Sequence, residues 1–187
     1  IDMVYQVIPA KDKIALGSQK LFEQCFKPIR EKINYQNLRN YIISTTKAAY
    51  KNFIIWTVLI AVLGLLHVEG VIVDIFLLMT SVVFYVCDLI CVLIWCPFRL
   101  IMKNKCCTTC RIFNWDHFMM FTPFLFIPGF FTWTLLGLAI LVMVIWELTV
   151  LIHPARFWEV SNDTLKCENC TDKLCTQYCG KPPKRFV

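Results

Sequence analysis

The chain has 187 residues, 58% of them hydrophobic and 17% charged, with a mean hydropathy of +0.60. Those values leave the soluble-protein average for the membrane class, and the length allows one compact domain without a second core. A net charge of +6 would suggest nucleic acid in a soluble protein. Here the basic residues flank apolar spans and follow the positive-inside bias, which excludes nucleic acid as a partner.

Residues 1–17 are mixed and punctuated by Pro9 and Gly17; a short strand or extended arm is the expectation, and nothing there reads as a signal peptide. From Ser18 the pattern turns helical, with Leu21, Phe22, Cys25 and Phe26 on one face and Lys20, Glu23, Gln24 and Lys27 on the other. After Pro28 a second helical stretch runs through Ile29, Ile33, Leu38, Tyr41 and Ile42. A basic amphipathic region of this kind either lies on the cytoplasmic membrane surface or packs on other protein.

Phe53 to Val68 is the first apolar span, completed by helix reaching back to Tyr50, because a crossing needs roughly 20 residues. His67, Glu69 and Gly70 make a tight reversal into a second span, Val71 to Phe98. A cysteine loop follows over 99–111. The next apolar run, 112–152, is too long for one crossing and is broken by Pro128-Gly129, a strong turn signal. It parses as a third span over 112–127, short and containing Pro123, then a fourth from Phe131 to Ile152, closed by His153-Pro154. The third is either a true crossing or a re-entrant half-helix.

All 19 lysines and arginines fall at or before Lys51, between Arg99 and Arg111, or at or beyond Arg156. Four spans put every one of them on a single face. The expected protein is therefore all-α and integral to a membrane, with four transmembrane helices (the third either crossing or re-entrant), both termini cytoplasmic and a cytoplasmic cysteine-rich knot. Its regions are an amphipathic 1–52, a transmembrane bundle over 53–152 and a cysteine-rich tail over 153–187.

Of the 11 cysteines, Cys25 stands alone. Cys87, Cys91 and Cys96 lie in an apolar span, where cysteine behaves as a small hydrophobe. The rest cluster in the loop and tail, on the reducing side of the expected topology, where lasting disulfides are rare. Cys107-Thr108-Thr109-Cys110 and Cys167-Glu168-Asn169-Cys170 are both C-x2-C. Each such turn offers two thiolates to one ion, and two turns complete a tetrahedral zinc site. Cys106 and Cys175, followed by Cys179, exceed the needs of one zinc and leave room for an iron–sulfur cluster. The candidate ligands are thus Cys106, Cys107, Cys110, Cys167, Cys170 and Cys175, shared between loop and tail around zinc or an iron–sulfur centre.

Asp88 is the one deep acid of the second span, sharing a face with Ser81 and flanked by Tyr85, as an ion path or a helix–helix bond. Glu147 is expected at the interface or paired with Arg156, and Asp116 and His117 at the mouth of the third span. Trp115, Trp146 and Trp158 read as interfacial anchors. No Walker, Rossmann, G-x-S-x-G or H-E-x-x-H pattern occurs.

The block Cys106-Cys107-x-x-Cys110-Arg111-Ile112-Phe113-Asn114-Trp115-Asp116-His117-Phe118-Met119-Met120-Phe121-Thr122-Pro123, with the tail run from Cys167 to Cys175, resembles small uncharacterised cysteine-rich membrane proteins of anaerobic Gram-positive bacteria. The resemblance covers about the C-terminal half. It implies a bacterial plasma-membrane setting and no activity; an anaerobic host would also ease maintenance of an oxygen-sensitive cluster. The leading functional expectation is a metal-binding membrane subunit relaying electrons at the bilayer surface, with other membrane or redox subunits as partners. The alternatives are a small transporter using Asp88, and a membrane enzyme acting on a lipid or quinone with Asp116 and His117 at the interface.

Overall fold

The computed structural model describes residues 2–8, 21–29, 34–102 and 109–166. The regular structure among those residues is all helical, with one isolated β-bridge between Pro28 and Asn162. Six α-helices appear: α1 (Asp2–Val7), α2 (Tyr35–Val68), α3 (Asp74–Leu93), α4 (Phe98–Met102), α5 (Asp116–Phe121) and α6 (Phe130–Ile152). Short 3-10 turns extend α5 on both sides, at Phe113–Trp115 and Thr122–Phe126.

Three helices, α2, α3 and α6, are long and apolar enough to cross a bilayer. Their outward faces carry Ile55, Val58 and Leu65 on α2, Phe76, Val83 and Ile90 on α3, and Phe131, Leu141 and Leu151 on α6, all exposed. Apolar surface on that scale is rare on a soluble monomer and marks a membrane or protein contact. Threonines on these helices satisfy themselves internally, since lipid supplies no hydrogen-bond partner. The hydroxyls of Thr57, Thr80 and Thr134 donate to the carbonyls of Phe53, Phe76 and Phe130 at 2.8, 2.8 and 2.7 Å.

α2 begins at Asn34, whose side chain accepts the N–H groups of Gln36 and Asn37 at 3.0 and 3.4 Å. With 34 residues it is about 51 Å long, some 20 Å more than a hydrocarbon core. The amphipathic stretch after Asn34 and the first span are therefore one rod. The sequence supplies no proline or glycine between Tyr35 and Leu63 to divide them. The rod ends where Gly70 takes φ +74°, a conformation open to glycine at little cost. His67 Nε2 then meets Asp74 Oδ1 at 2.7 Å, tying the two sides of the reversal. This is the turn end of the bundle; the opposite end, carrying residues 94–102, 109–111 and 153–166, is the loop end.

The segment over 113–126 threads among α2, α3 and α6 and packs on all three. Near the loop end Trp115 lies edge-on to Tyr50 and Phe53, with ring centroids at 6.0 and 5.6 Å. Further along, the Trp56 indole N–H donates to the Thr122 hydroxyl at 3.1 Å. Near the turn end the Phe126 ring fills the space over Gly64, so close that a β-carbon there would sit 2.2 Å from Cζ. Ile127–Gly129 then turns the chain into α6, as Pro128-Gly129 predicts.

Two expectations for the N-terminal region are corrected. Residues 2–7 form a helix rather than a strand or arm, with Met3 and Gln6 buried. Around residues 21–29 the chain makes only a 3-10 turn, Glu23–Cys25, and Cys25 is exposed rather than on an apolar face. Tertiary partners take the backbone groups that a helix would have used: Asp163 N–H donates to Lys27 O at 2.9 Å and Ile29 N–H to Ser161 O at 3.3 Å. Leu21 is fully buried, in a cluster with Met3, Val142, Trp146, Val150, Phe157 and Leu165. Trp115 and Trp146, each 3% exposed, are core residues and not interfacial anchors; Trp158 is half-buried and stacks on Tyr41 at 5.9 Å.

Placing a branched side chain at Gly64 forces the Phe126 ring aside. Gly64→Val should lower stability in detergent micelles by about 1–3 kcal/mol, the usual cost of overpacking. In a double-mutant cycle with Phe126→Ala, read by thermal unfolding, the two costs should be clearly less than additive; additive costs would contradict the contact.

Candidate functional site at the loop end

The loop end is held together by one buried ion pair. Arg111 is 4% exposed, and its Nε donates to Glu147 Oε1 at 3.0 Å while Nη2 donates to Oε2. The Trp115 indole N–H adds a third donor to Oε1 at 2.8 Å, and Arg111 Nη1 also reaches the Thr46 hydroxyl of α2 at 3.4 Å. Paired, fork-on-fork donation of this kind satisfies a carboxylate that apolar surroundings would otherwise penalise. Glu147 is thus the partner of Arg111; the sequence expectation of Arg156 is corrected. Arg156 instead approaches Glu23 at 3.3 Å. Spacing could not show this, because the pair joins residues 36 apart across two elements.

Beside this clamp lies a cavity of about 110 Å³, lined by thiols, thioethers and aromatic rings together with two carboxylates. Cys87, Asp88 and Cys91 enter from the last turns of α3, Cys96 from the segment after it, and Cys110 and Asp116 from the chain leading into α5. The way α3 ends creates this convergence. Five residues apart in a helix, Cys91 and Cys96 would point about 140° from each other. The helix instead stops at Ile94, with the Ile94 and Trp95 amides both bonded to Ile90 O at 2.9 and 3.0 Å. Pro97 keeps Cys96 from continuing the helix. The chain folds back, and the Cys91 and Cys96 thiols hydrogen-bond, with Cys87 and Asp88 close by. The apolar setting of Cys87, Cys91 and Cys96 matches expectation; their meeting with Cys110 does not follow from the sequence.

Cys110 is 5% exposed and packs with Ala49, Met102, Ile112, Trp115 and Met119. Burial pushes its thiol up to about 11, while the backbone N–H groups of Ile112 and Phe113, aimed at the sulfur, pull the other way and nearby Cys96 adds to the rise. Of the other expected ligands, Cys106, Cys107, Cys167, Cys170 and Cys175 lie outside the described residues, as does Cys179. Among the described residues no three His, Cys, Asp or Glu side chains form a group able to hold a metal ion. Asp88 is half-buried on the cavity wall, with Ser81 buried on the same inward face and Tyr85 turned out at 49% exposure. Asp116 Oδ1 accepts from the His117 amide at 2.5 Å and contacts its Nδ1 at 2.6 Å, so the acid fixes the ring's orientation.

Removing one partner of a buried pair strands the other charge. Glu147→Leu should cost about 3–5 kcal/mol, measured by unfolding in micelles, whereas Arg111→Met with Glu147→Leu should recover most of that loss. For Cys110, a thiol held near 11 is scarcely ionised at pH 8. It should react with a small permeant maleimide about 100-fold more slowly than exposed Cys25, by peptide mass mapping, and catch up on unfolding.

No protein-family model, curated protein or solved structure matches this chain.

Proposed function

We propose that this is a four-crossing protein of a bacterial plasma membrane, with both termini cytoplasmic, whose loop and tail cysteines bind zinc or an iron–sulfur cluster at the membrane surface. The observation that carries this reading is the common anchoring of loop and tail on α6. Arg111, next to Cys110, is clamped to Glu147. Its neighbour Trp146 packs against Phe157 of the returning tail, with ring centroids at 6.2 Å, and shares a cluster with Leu165, two residues before Cys167. Both cysteine groups therefore start from the loop end of one helix.

The crossing count draws support from the contacts of residues 113–126. Along α2 they advance from Tyr50 and Phe53 to Gly64, most of one bilayer's depth. The 3-10 turns make this feasible for a short segment, since they rise about 2.0 Å per residue against 1.5 Å in an α-helix. Burial among three other helices also suits a broken backbone at membrane depth, which lipid would not tolerate. The one-sided lysine and arginine distribution then sets the loop end in the cytoplasm.

The set of ligands also fits the group. Burial holds the Cys110 thiol protonated, and the Ile112 and Phe113 amides directed at its sulfur offset part of that cost when a cation displaces the proton. Cys107, Cys110, Cys167 and Cys170 supply four thiolates for one tetrahedral ion, with Cys106 and Cys175 in reserve for a cluster. Zinc would tie the loop to the tail as a structural clasp; a cluster would add one-electron transfer at the bilayer surface.

Elemental analysis of anaerobically purified protein tests this reading. It should find either one zinc in colourless protein or iron with sulfide in brown protein, and Cys107→Ser with Cys170→Ser should remove that metal. Protein that folds and holds neither would overturn it.

A further inference from the structure

The cavity at the end of α3 meets the loop-and-tail reading only at Cys110 on its wall, and it brings together more soft donor atoms than any other place among the described residues. We infer that Cys91 and Cys96 form a separate site for a univalent soft cation of the copper(I) class, held linearly between two sulfurs. The inference needs neither Cys107 nor Cys170 and stands or falls independently of them.

Four features point to this ion class. First, Cys91 and Cys96 line one cavity and their thiols meet there as a pair. Zinc asks for four ligands and calcium or magnesium for six or more oxygens, whereas a filled-shell univalent cation is satisfied by two. Second, Met119 and Met120 line the same cavity, alongside the carboxylates of Asp88 and Asp116, and thiolate and thioether ligands select copper(I). Third, the charge left on binding is modest. Two thiols exchange two protons for one cation, leaving a single negative charge spread over two sulfurs and the metal. That is less costly to bury than the doubly charged pair of bare thiolates. Fourth, the donors are positioned in advance. The break at Ile94 and the proline after Cys96 fix the returning chain, so little ordering remains to be done on binding.

Formation is written Cys91–SH plus Cys96–SH plus M⁺, giving the linear dithiolate complex of net charge −1 and two protons released to solvent. No electron is transferred. Two released protons make the affinity rise about 100-fold per pH unit, against about 10-fold for a site built on one thiolate.

The test is an anaerobic titration of the full chain in micelles with copper(I), competed against a chromophoric copper(I) chelator whose own protonation is corrected for, at several pH values. Wild type should bind one such equivalent besides any held by the loop and tail, and the Cys107→Ser, Cys170→Ser double variant, the background for the variants below, should retain it with the two-proton dependence. Cys91→Ala, Cys96→Ala should lose it, binding at least 100-fold more weakly. Cys87→Ser, which keeps both ligands, should bind as wild type and controls for loss of fold. Retention of the tight equivalent by the Cys91/Cys96 variant overturns the assignment. So does wild-type protein that binds none, or that proves on intact-mass analysis to hold a Cys91–Cys96 disulfide, or a one-proton dependence.

Discussion

The Arg111–Glu147 pair is the constraint on which the loop end depends. A glutamate on a helix otherwise made of isoleucine, leucine, valine and aromatic residues is costly to bury unless its oxygens are taken up. Here three N–H groups take them up, two from Arg111 and one from Trp115. Because those donors come from the loop and from the start of the third segment, the acid on α6 fixes both at once. Thr46 on α2 extends the bond network to the first long helix. The last turns of α6, the end of the loop at Cys110 and Arg111, and the mouth of the third segment therefore occupy one level of the bundle. Around that level pack the two clusters that surround Trp146 and Trp115.

From this clamp the third segment runs toward the turn end as 3-10, α and 3-10 in succession. Pro123 cannot donate in a helical ladder, and its ring interferes with the preceding turn, so a regular α-helix is disfavoured there. The result trades helix regularity for reach. Thr122 compensates locally: its hydroxyl donates to Met119 O at 2.7 Å and accepts from the Trp56 indole. Gly64 provides the other accommodation, letting Phe126 lie flush against α2. Small residues at such crossings are how helices approach closely when lipid supplies no hydrophobic drive between them.

What the sequence revealed was what periodicity, length and charge encode. The long helices, the reversal at Gly70, the turn at Pro128-Gly129 and the stop at His153-Pro154 are all local signals, and the structure has each of them. What it concealed depended on distant partners. Glu147 looks the same from the sequence whether it meets Arg111 or Arg156. Trp115 and Trp146 have the composition of interfacial anchors and yet fill the core: chain from residues 21–29 and 154–166 folds over Trp146, while α2, Met102 and the start of the third segment enclose Trp115. Leu21 and Phe22 kept their apolar role but lost the expected helix to pairing with residues 161–163. The thiol cavity was illegible for a related reason: helical spacing sets Cys91 and Cys96 apart, and only the break after α3 lets them meet. Its one hint was Pro97, directly after Cys96.

Everything proposed for the loop and tail requires them to emerge on the same side of the membrane. Single cysteines placed on a cysteine-free background at Lys105, Lys173 and Glu69, in sealed right-side-out vesicles, test that most directly with an impermeant maleimide. The account predicts labelling of Glu69→Cys in intact vesicles, and of Lys105→Cys and Lys173→Cys only after the membrane is opened. Labelling of Lys105→Cys and Lys173→Cys from opposite sides would contradict it.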